Sequence, residues 1–280
     1  MKNSLGNNSA NKILVVAPAW IGDILMAQTL FKLLQQNNPR IIIDVLAPAA
    51  TQPLLQRMPE VTHHFLLDSQ HGEFALLKRY QLGKQLRKNN YQQAIVLPNS
   101  WKSALAPFFA KIPQRTGWLG EQRYGLLTDY RRLNKHIYPQ MIQRFAALAI
   151  EKNSVLAKKL PYPHLAISTD NQKILTEKFL LHSDKPILAL CPGAEFGPAK
   201  RWPAEYYAQV AQQKLQQGWQ IWLVGSTKEK NAGEIIQTIT QQACVNLIGQ
   251  TTLSDVIDLL ALTNIVVCND SGLMHIAAAV

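Results

Sequence analysis

The chain has 280 residues and a mass of 31.4 kDa, a length that suits two domains of ordinary size. Apolar residues make up 47% and charged residues 17%, a composition that excludes disorder and supports a sizeable core. The net charge is +11, no apolar run approaches the ~18 residues of a membrane helix, and three scattered cysteines exclude a disulfide scaffold and a Cys-rich zinc site.

Short apolar runs alternate along the chain with longer helical patterns. In the first half the predicted strands are Ile13–Ala17, Ile41–Leu46, His64–Leu67 and Ala94–Leu97, and the predicted helices are Ile24–Gln36, Phe74–Lys88 and Tyr138–Glu151. In the second half the strands are Ile187–Cys191, Gln220–Val224, Val245–Ile248 and Ile265–Cys268, and the helices are Ala204–Gln217, Glu229–Thr240 and Leu253–Leu262. Several strands are apolar throughout, as a parallel sheet covered on both faces requires. The pattern predicts two α/β domains with open, doubly wound sheets.

A break between the two series lies at Asn153–His164, which carries Pro161 and Pro163. We therefore predict domains at residues 1–155 and 156–280. The last residues resemble a strand end followed by the first turns of a helix, and the chain stops inside that pattern. The second domain is accordingly expected to have about four strands and to be incomplete at its C-terminus.

The excess of positive charge lies entirely in the first half. Residues 1–150 contain 18 Lys and Arg against 7 Asp and Glu, whereas residues 151–280 contain 11 of each. An acidic partner is expected there, such as nucleic acid, an anionic membrane surface or a phosphorylated substrate, and a contribution to solubility is the alternative. The polar N-terminus lacks the apolar stretch of a signal peptide, so we expect a cytosolic protein with buried, reduced thiols.

Ligands of open α/β sheets bind beyond the carboxyl ends of the strands, so each strand-to-helix junction is a candidate site. Asp23 begins the first predicted helix, where it is equally suited to be a helix cap or a general base. Lys200 and Arg201 end a loop rich in Gly and Pro that follows a buried strand, and their position there favours anion binding over simple solvation. This loop matches neither the P-loop nor the dinucleotide-binding fingerprint.

Two further junctions have weaker signals. Glu229 and the residues just before it suit a helix cap at least as well as a ribose or phosphate contact. Asp270, Ser271 and Gly272 form a small polar turn before a helix, which offers free N–H groups to a diphosphate, although a helix cap is again the alternative. His275 lies about one turn into that helix. An isolated histidine more often has a structural role than a ligand-binding one. No D-x-D clip and no pair of His with zinc spacing is present, so no metal is expected.

Three segments in this order resemble one enzyme family: WIGDILMAQTLFKLL (20–34), PGAEFGPAKRWP (192–203) and NDSGLMHIAAAV (269–280). They are similar to the ADP-heptose:lipopolysaccharide heptosyltransferases, glycosyltransferase family 9, and the middle segment is most similar to the heptosyltransferase II branch. The resemblance implies a GT-B fold, in which two Rossmann-like domains face a cleft. It also implies an inverting transfer of L-glycero-D-manno-heptose from ADP-heptose to the first heptose of the lipopolysaccharide inner core.

The resemblance also implies roles for single residues. Asp23 would be the general base and Lys200 would stabilise the departing ADP. The donor would be held by Ser271 and Gly272 at its diphosphate, by Asp270 at the heptose hydroxyls, by His275 near the phosphates and by Glu229 at the ribose. The N-terminal domain would bind the acceptor and the C-terminal domain the nucleotide sugar.

The expected partners follow from the same resemblance. They are ADP-heptose and an anionic inner-core acceptor, met by a monomer at the cytoplasmic face of the inner membrane with no cofactor and no nucleic acid. Trp20, Trp101 and Trp118 would contact sugar or lipid, or else belong to the core. Family members continue past the position of Val280, so a catalytically impaired remnant is the main alternative. A nucleic-acid-binding module and a nucleotide-sugar epimerase are two others.

Overall fold

The computed structural model describes residues 11–67, 75–181, 184–195 and 197–280. The chain divides between Pro163 and His164 into two compact units, each with a parallel sheet of its own. This boundary lies inside the proline-bearing stretch Asn153–His164 and somewhat after the predicted position at residue 155. The alternation of apolar strands and amphipathic helices thus corresponds to two α/β folds.

The first unit contains a sheet of six strands in the order β3-β2-β1-β4-β5-β6, and every neighbouring pair is parallel. Its strands are β1 (Lys12–Val16), β2 (Ile42–Ala47), β3 (His63–Leu66), β4 (Gln93–Val96), β5 (Gln114–Trp118) and β6 (Asp129–Arg131). Its helices are α1 (Ile21–Asn37), α2 (Gln52–Leu55), α3 (Leu76–Leu86), α4 (Leu105–Phe109) and α5 (Met141–Ala146).

The helices of this unit form two pairs. Helix α1 packs with α5, and α3 packs with α4 over a core that includes Leu14, Val96 and Leu127. The strand order reverses direction at β1, and right-handed crossovers then place the two helix pairs on opposite faces of the sheet. The Thr29 hydroxyl of α1 also donates to the carbonyl of Pro161 at 2.9 Å, which fastens the end of this unit to its first helix.

The second unit contains a sheet of four strands in the order β10-β7-β8-β9, again parallel throughout. Its strands are β7 (Ile187–Cys191), β8 (Gln220–Leu223), β9 (Val245–Asn246) and β10 (Ile265–Cys268). Its helices are α6 (Thr169–Lys178), α7 (Ala204–Gln216), α8 (Lys230–Ile239), α9 (Leu253–Leu260) and α10 (Gly272–Ala277). Helices α7 and α8 pack over the core around Leu190 and Ile221, whereas α9 contacts α6 and α10.

Several elements differ from the sequence-based prediction. Strands β5 and β6 were not predicted, because one begins with Gln-Arg-Thr and the other is only Asp-Tyr-Arg. The predicted helix Tyr138–Glu151 is wrong in extent: a capping box between Gln140 and Gln143 begins α5 at Met141, and the helix ends at Ala146. Helices α2, α4 and α6 were not predicted. Phe74, the predicted start of α3, lies outside the described residues, and the structure has α3 from Leu76.

Candidate functional site

The strand order of each unit marks one crevice. In an open α/β sheet the chain leaves two adjacent strands in opposite directions at the switch point, and the loops there diverge and leave a binding crevice. The switch point lies between β1 and β4 in the first unit and between β7 and β10 in the second. The candidate residues that follow β1, β7 and β10 are therefore at the two edges where ligands are expected.

Asp23 lies at the switch point of the first unit. It is the third residue of α1, whereas Trp20 occupies the position that caps the helix, so Asp23 is not the capping residue. Its side chain is half-buried in the first turn, where the positive end of the helix dipole stabilises a carboxylate. A carboxylate at the carboxyl edge of a sheet is suited to accept a proton.

A buried arginine that sequence reasoning missed fixes the neighbouring loops. The guanidinium of Arg123 donates to the carbonyl of Pro98 at 2.7 Å, to the Ser103 hydroxyl at 3.2 Å and to the carbonyl of Trp118. Burial lowers its pKa to about 10, so the group remains a cation at neutral pH. Arg123 therefore joins the carboxyl ends of β4 and β5. Its only sequence signal was one Arg in a Gly-rich loop.

A cavity of the first unit lies at the carboxyl ends of β5 and β6 and has a volume of about 820 Å³. Trp118, Tyr130 and Tyr138 line it together with four cationic side chains and one carboxylate, which are those of Arg131, Arg132, Lys152, Lys158 and Glu151. The Trp118 indole is buried and donates to the carbonyl of Arg144 at 3.0 Å. Of the three tryptophans singled out in the sequence, Trp118 thus belongs to the core and lines the cavity, whereas Trp20 and Trp101 are about two-fifths exposed.

Lys200 and Asp270 meet at the switch point of the second unit. Lys200 ends the loop after β7, Asp270 follows β10, and the Lys200 Nζ lies 2.6 Å from the Asp270 Oδ2. This hydrogen bond and the charge of Lys200 hold the pKa of Asp270 below its usual range, with a smaller contribution from His275. Residues 70 positions apart in sequence thus form a cationic and an anionic group at one edge.

Asn269 joins the two loops that carry these residues. Its side-chain amide donates to the carbonyls of Pro192 at 2.8 Å and Gly193 at 3.4 Å, and its Oδ1 accepts from the Trp202 N–H at 3.1 Å and from the Tyr207 hydroxyl at 3.0 Å. The side chain is buried, so each of these bonds is shielded from water. The sequence showed Asn269 in a polar turn but gave no sign that it spans both loops.

The turn after Asp270 begins α10. Ser271 occupies the capping position, but its hydroxyl makes no capping bond, and its buried Oγ has no hydrogen-bond partner within the described residues. Gly272 is the first helical residue and places no side chain at the start of the helix. His275 lies one turn further on, half-buried and close enough to Asp270 to influence the pKa of that carboxyl.

Glu229 lies between the loops after β7 and β8. Its Oε2 accepts from the backbone N–H of Ser226 at 2.8 Å and from the Ser226 hydroxyl at 2.7 Å, which is the helix-cap alternative recognised in the sequence. A Cβ at Gly193 would lie 2.9 Å from the Glu229 Cδ, and one at Gly225 would lie 3.2 Å from its Cβ. Glycine at these two positions allows both loops to approach the carboxylate.

Two other groups of this edge have structural partners. Arg201 donates from Nε and Nη2 to the carbonyl of Ala194, each at 3.2 Å, so its guanidinium braces the loop while Lys200 points to Asp270. Cys191 and Cys268 are paired in register on β7 and β10, and burial raises the pKa of both thiols. Cys191 and Cys244 are buried as expected, whereas Cys268 is half-buried.

Two searches cover only the part of the chain that the structure describes. No three His, Cys, Asp or Glu side chains converge there as ligands for a metal ion. None of the helices described has the length and hydropathy needed to cross a bilayer.

Comparison with known proteins agrees with this geometry. Residues 79–280 match the model of glycosyltransferase family 9 (heptosyltransferase). The chain is 48% identical to lipopolysaccharide heptosyltransferase 2 of Salmonella typhimurium over 277 residues, which are 96% of this chain and 80% of that protein. It superposes on the structure of E. coli ADP-heptose LPS heptosyltransferase II with a TM-score of 0.88 and 46% identity, covering 96% of this chain and 82% of the other.

A more distant structure shares the fold alone. E. coli heptosyltransferase WaaC with ADP-2-deoxy-2-fluoro heptose superposes with a TM-score of 0.71 at 20% identity, over 96% of this chain and 85% of that one. The parallel sheets of the two units match these GT-B heptosyltransferases. The chain belongs to glycosyltransferase family 9, the heptosyltransferase family.

Proposed function

We propose that this chain transfers L-glycero-D-manno-heptose from ADP-heptose to the first heptose of the lipopolysaccharide inner core, with inversion at the anomeric carbon. The identity of 48% with a lipopolysaccharide heptosyltransferase 2 supports this reaction. The structural observation that carries it is the meeting of Lys200 and Asp270 at the switch point of the second unit. One group of that pair suits a diphosphate and the other suits sugar hydroxyls.

The donor is bound by the second unit in this proposal. Lys200 and the N–H groups of Ser271 and Gly272 contact the diphosphate, and the unpartnered Ser271 hydroxyl supplies one more donor. Asp270 accepts from the heptose hydroxyls, and His275 lies beside the phosphates. Glu229 contacts the ribose through the oxygen that the helix cap leaves available, because Oε2 is already bonded to Ser226.

The chemical step is a single in-line displacement. The acceptor hydroxyl oxygen forms a bond to the anomeric carbon while the bond from that carbon to the diphosphate oxygen breaks, and the bonding electrons leave with ADP. Negative charge develops on the diphosphate, and Lys200 with the oriented N–H groups stabilises it. Lys200 is bonded to Asp270 before the donor binds, so the diphosphate replaces or shares that partner.

Asp23 takes the proton of the acceptor hydroxyl. It lies in the first turn of α1, where the positive end of the helix dipole favours an anion, and at the carboxyl edge of the first unit, where an open sheet receives a ligand. The half-buried environment limits competition from water. The proton moves to Asp23 as the new glycosidic bond forms.

The acceptor is bound by the first unit. Residues 1–150 of that unit carry a net charge of +11, and its cavity is lined largely by cations and aromatic rings, a combination suited to phosphorylated and acidic sugars. We propose that the enzyme works at the cytoplasmic face of the inner membrane, where the lipid-linked acceptor is made.

Product analysis tests the reaction directly. The purified chain is incubated with ADP-heptose and a core acceptor that bears one heptose, and mass spectrometry follows the acceptor. We expect a product heavier by one heptose together with an equal amount of ADP. Absence of transfer to this acceptor under conditions where the chain is folded would overturn the function.

Two variants separate the roles. Asp23→Asn is expected to lower turnover by about 10²–10⁴ without loss of folding, the usual effect of removing a general base. Lys200→Met is expected to lower turnover by about 10²–10³, the usual effect of removing one group that stabilises a developing anion. The control is Asp170→Asn, which alters an exposed carboxylate of α6. Near-normal turnover in Asp23→Asn would remove that residue from the chemistry.

A further inference from the structure

Helices α3 and α4 leave large apolar side chains on the surface of the first unit. The exposed fraction is 67% for Leu77, 40% for Tyr80 and 41% for Phe108. Leu77, Tyr80 and Lys84 follow one another at three and four residues, so they lie along one face of α3. We call the surface formed by Leu77, Tyr80, Lys84, Phe108 and Phe109 the α3–α4 patch.

The rings of the patch form one continuous cluster. The Tyr80 ring meets the edge of Phe109 at 5.2 Å between centroids, and Phe109 meets Phe108 at 5.6 Å. Cations cover the outer rings, because the Lys84 Nζ lies 5.3 Å from the Tyr80 centroid and the Arg115 Cζ lies 5.6 Å from the Phe108 centroid. Apolar and cationic groups are therefore interleaved on this surface.

The sequence around the patch is strongly basic. Residues 75–120 contain eight Lys and Arg and no Asp or Glu. These basic residues are Lys78, Arg79, Lys84, Arg87, Lys88, Lys102, Lys111 and Arg115. Arg79 is buried, but Lys84, Arg87, Lys88 and Lys111 are exposed. A surface of this kind attracts anions over a distance set by the salt concentration.

We propose that the α3–α4 patch docks the enzyme on an anionic lipid bilayer, with the exposed Leu and rings entering the headgroup region and the lysines and arginines contacting lipid phosphates. The combination of exposed apolar side chains with surrounding Lys and Arg is typical of helices that lie on anionic membranes. The relevance of this docking to catalysis rests on the proposed function, since the acceptor of that reaction is a lipid.

Nucleic acid fits the patch less well. Bases stack on open ring faces in single-strand binding, whereas Lys84 covers the Tyr80 ring and Arg115 covers the Phe108 ring. Leu77, the most exposed of the three apolar side chains, offers a nucleic acid neither a hydrogen bond nor a charge. The same side chain gains favourable burial among lipid headgroups.

The position of α3 relates the proposed docking to the sheet edge that carries Asp23. Helix α3 follows β3 and precedes β4 in a parallel sheet, so it begins near the carboxyl edge, and Leu77 lies in its first turn. Asp23 follows β1 at that same edge. Contact through the start of α3 therefore brings the edge that carries Asp23 toward the lipid surface.

The test is co-sedimentation of the full chain with vesicles at physiological ionic strength. We expect binding to phosphatidylcholine vesicles that contain phosphatidylglycerol and weak or no binding to phosphatidylcholine alone. Lys84→Glu with Lys88→Glu is expected to weaken binding by roughly tenfold or more, and Leu77→Gln by roughly threefold or more. Circular dichroism spectra confirm that each variant is folded.

Matched controls lie in the second unit. Lys173→Glu with Lys185→Glu changes the net charge by the same amount, and Ile174→Gln replaces another exposed aliphatic side chain, so both are expected to bind within about twofold of the unaltered chain. Equal weakening by Lys173→Glu with Lys185→Glu and by Lys84→Glu with Lys88→Glu would overturn the proposal, because net charge alone would then explain binding. Salt-sensitive binding to random DNA without binding to the anionic vesicles would also overturn it.

The assay is independent of heptose transfer. An unaltered chain that binds vesicles but transfers no heptose contradicts the proposed function and supports the patch. A chain that transfers heptose to a water-soluble acceptor fragment but ignores anionic vesicles supports the function and contradicts the patch. The patch variants are expected to retain transfer to the soluble fragment, because none of the altered residues belongs to the proposed catalytic groups.

Discussion

At the scale of single residues, the ion pair between Lys200 and Asp270 marks the candidate site of the second unit. The exposed fractions of the two side chains are 48% and 64%, and an ion pair so open to solvent contributes only about 0–1 kcal/mol to stability. Its effect is therefore on position: each side chain limits where the other points. A ligand diphosphate that approaches Lys200 meets an ammonium group that is already oriented.

The pKa of Asp270 reports this contact. Lys200→Met removes the hydrogen bond and the positive charge, so we expect the pKa of Asp270 to rise from its lowered value toward the usual range of an aspartate. A carboxylate with a lowered pKa keeps its charge to lower pH, and the pair is lost only as the pH falls through that pKa. NMR titration of the carboxyl carbon measures the change.

A second lysine variant serves as the control for this titration. Lys173→Met removes a cation from α6 that lies 3.8 Å from Asp170, and it should leave the titration of Asp270 unaltered. If Lys200→Met leaves the pKa of Asp270 where it was, the contact between the two side chains is not maintained in solution.

Single residues at the strand ends were accessible from the sequence to different degrees. Asp23, Lys200 and Asp270 could be proposed as site residues because each follows a strongly apolar run, and the carboxyl ends of parallel strands are where ligands bind. Asn269 and Arg123 were not given a role, because the importance of each comes from loops that are distant in sequence and meet only in the fold. Their role needs tertiary contacts that no local pattern records.

At the scale of elements, a glycine at position 83 allows α3 and α4 to pack closely against each other. A Cβ placed on Gly83 would lie 2.5 Å from the Phe109 Cβ and 2.9 Å from the carbonyl oxygen of Ala106. No ordinary contact between carbon atoms is that short, so the two helices approach as closely as they do because position 83 has no side chain. The rings of the α3–α4 patch touch one another because of this close packing.

Gly83→Ala is expected to destabilise the first unit. The overlap with Phe109 and Ala106 costs about 1–3 kcal/mol, which exceeds the gain of up to about 1 kcal/mol from the better helix propensity of alanine. Urea denaturation followed by circular dichroism measures the difference in free energy of unfolding. Gln85→Ala, an exposed substitution in the same helix, is the reference, and equal stability of the two variants would contradict the close packing.

Strands could be predicted from the sequence where every residue of the strand is buried. Strand β7 has the limits Ile187–Cys191 that its sequence predicted, because all five residues are buried on both faces of the sheet. Strand β5 was missed because its first residues are polar and it is held partly by side chains: Arg115 donates to the carbonyls of Ile112 and Leu126, each at 2.6 Å. Hydrophobic pattern alone does not record bonds of that kind.

At the scale of the whole molecule, the chain is two units with separate sheets and separate cores. The excess of positive charge lies in the first unit, since residues 1–150 have a net charge of +11 and residues 151–280 a net charge of zero. Sequence composition predicted both the number of domains and the basic half. It placed the boundary at residue 155 instead of after Pro163, because the stretch between them is irregular and has no hydrophobic pattern to follow.

Because the two units have separate cores, a substitution that creates a cavity in one core should destabilise that unit and leave the other unaffected. Leu190 is fully buried in β7, and Leu190→Ala should cost about 2–5 kcal/mol. We expect hydrogen exchange measured by mass spectrometry to accelerate in β7 and β8 while β1 and β4 keep their protection. The reciprocal variant Val15→Ala should accelerate exchange in the first sheet, although by less because fewer atoms are removed. Uniform acceleration across both sheets in either variant would show that the units unfold as one.

The four hydrogen bonds of Asn269 have a consequence for the exchange of loops between related proteins. The Asn269 side chain, in the segment after β10, donates to the carbonyl of Pro192 in the segment after β7 and accepts from the Tyr207 hydroxyl of α7. A graft of either segment from a relative would leave this amide opposite foreign partners and expose unmatched donors and acceptors. An exchange of these loops therefore needs both segments and the tyrosine to be transferred together.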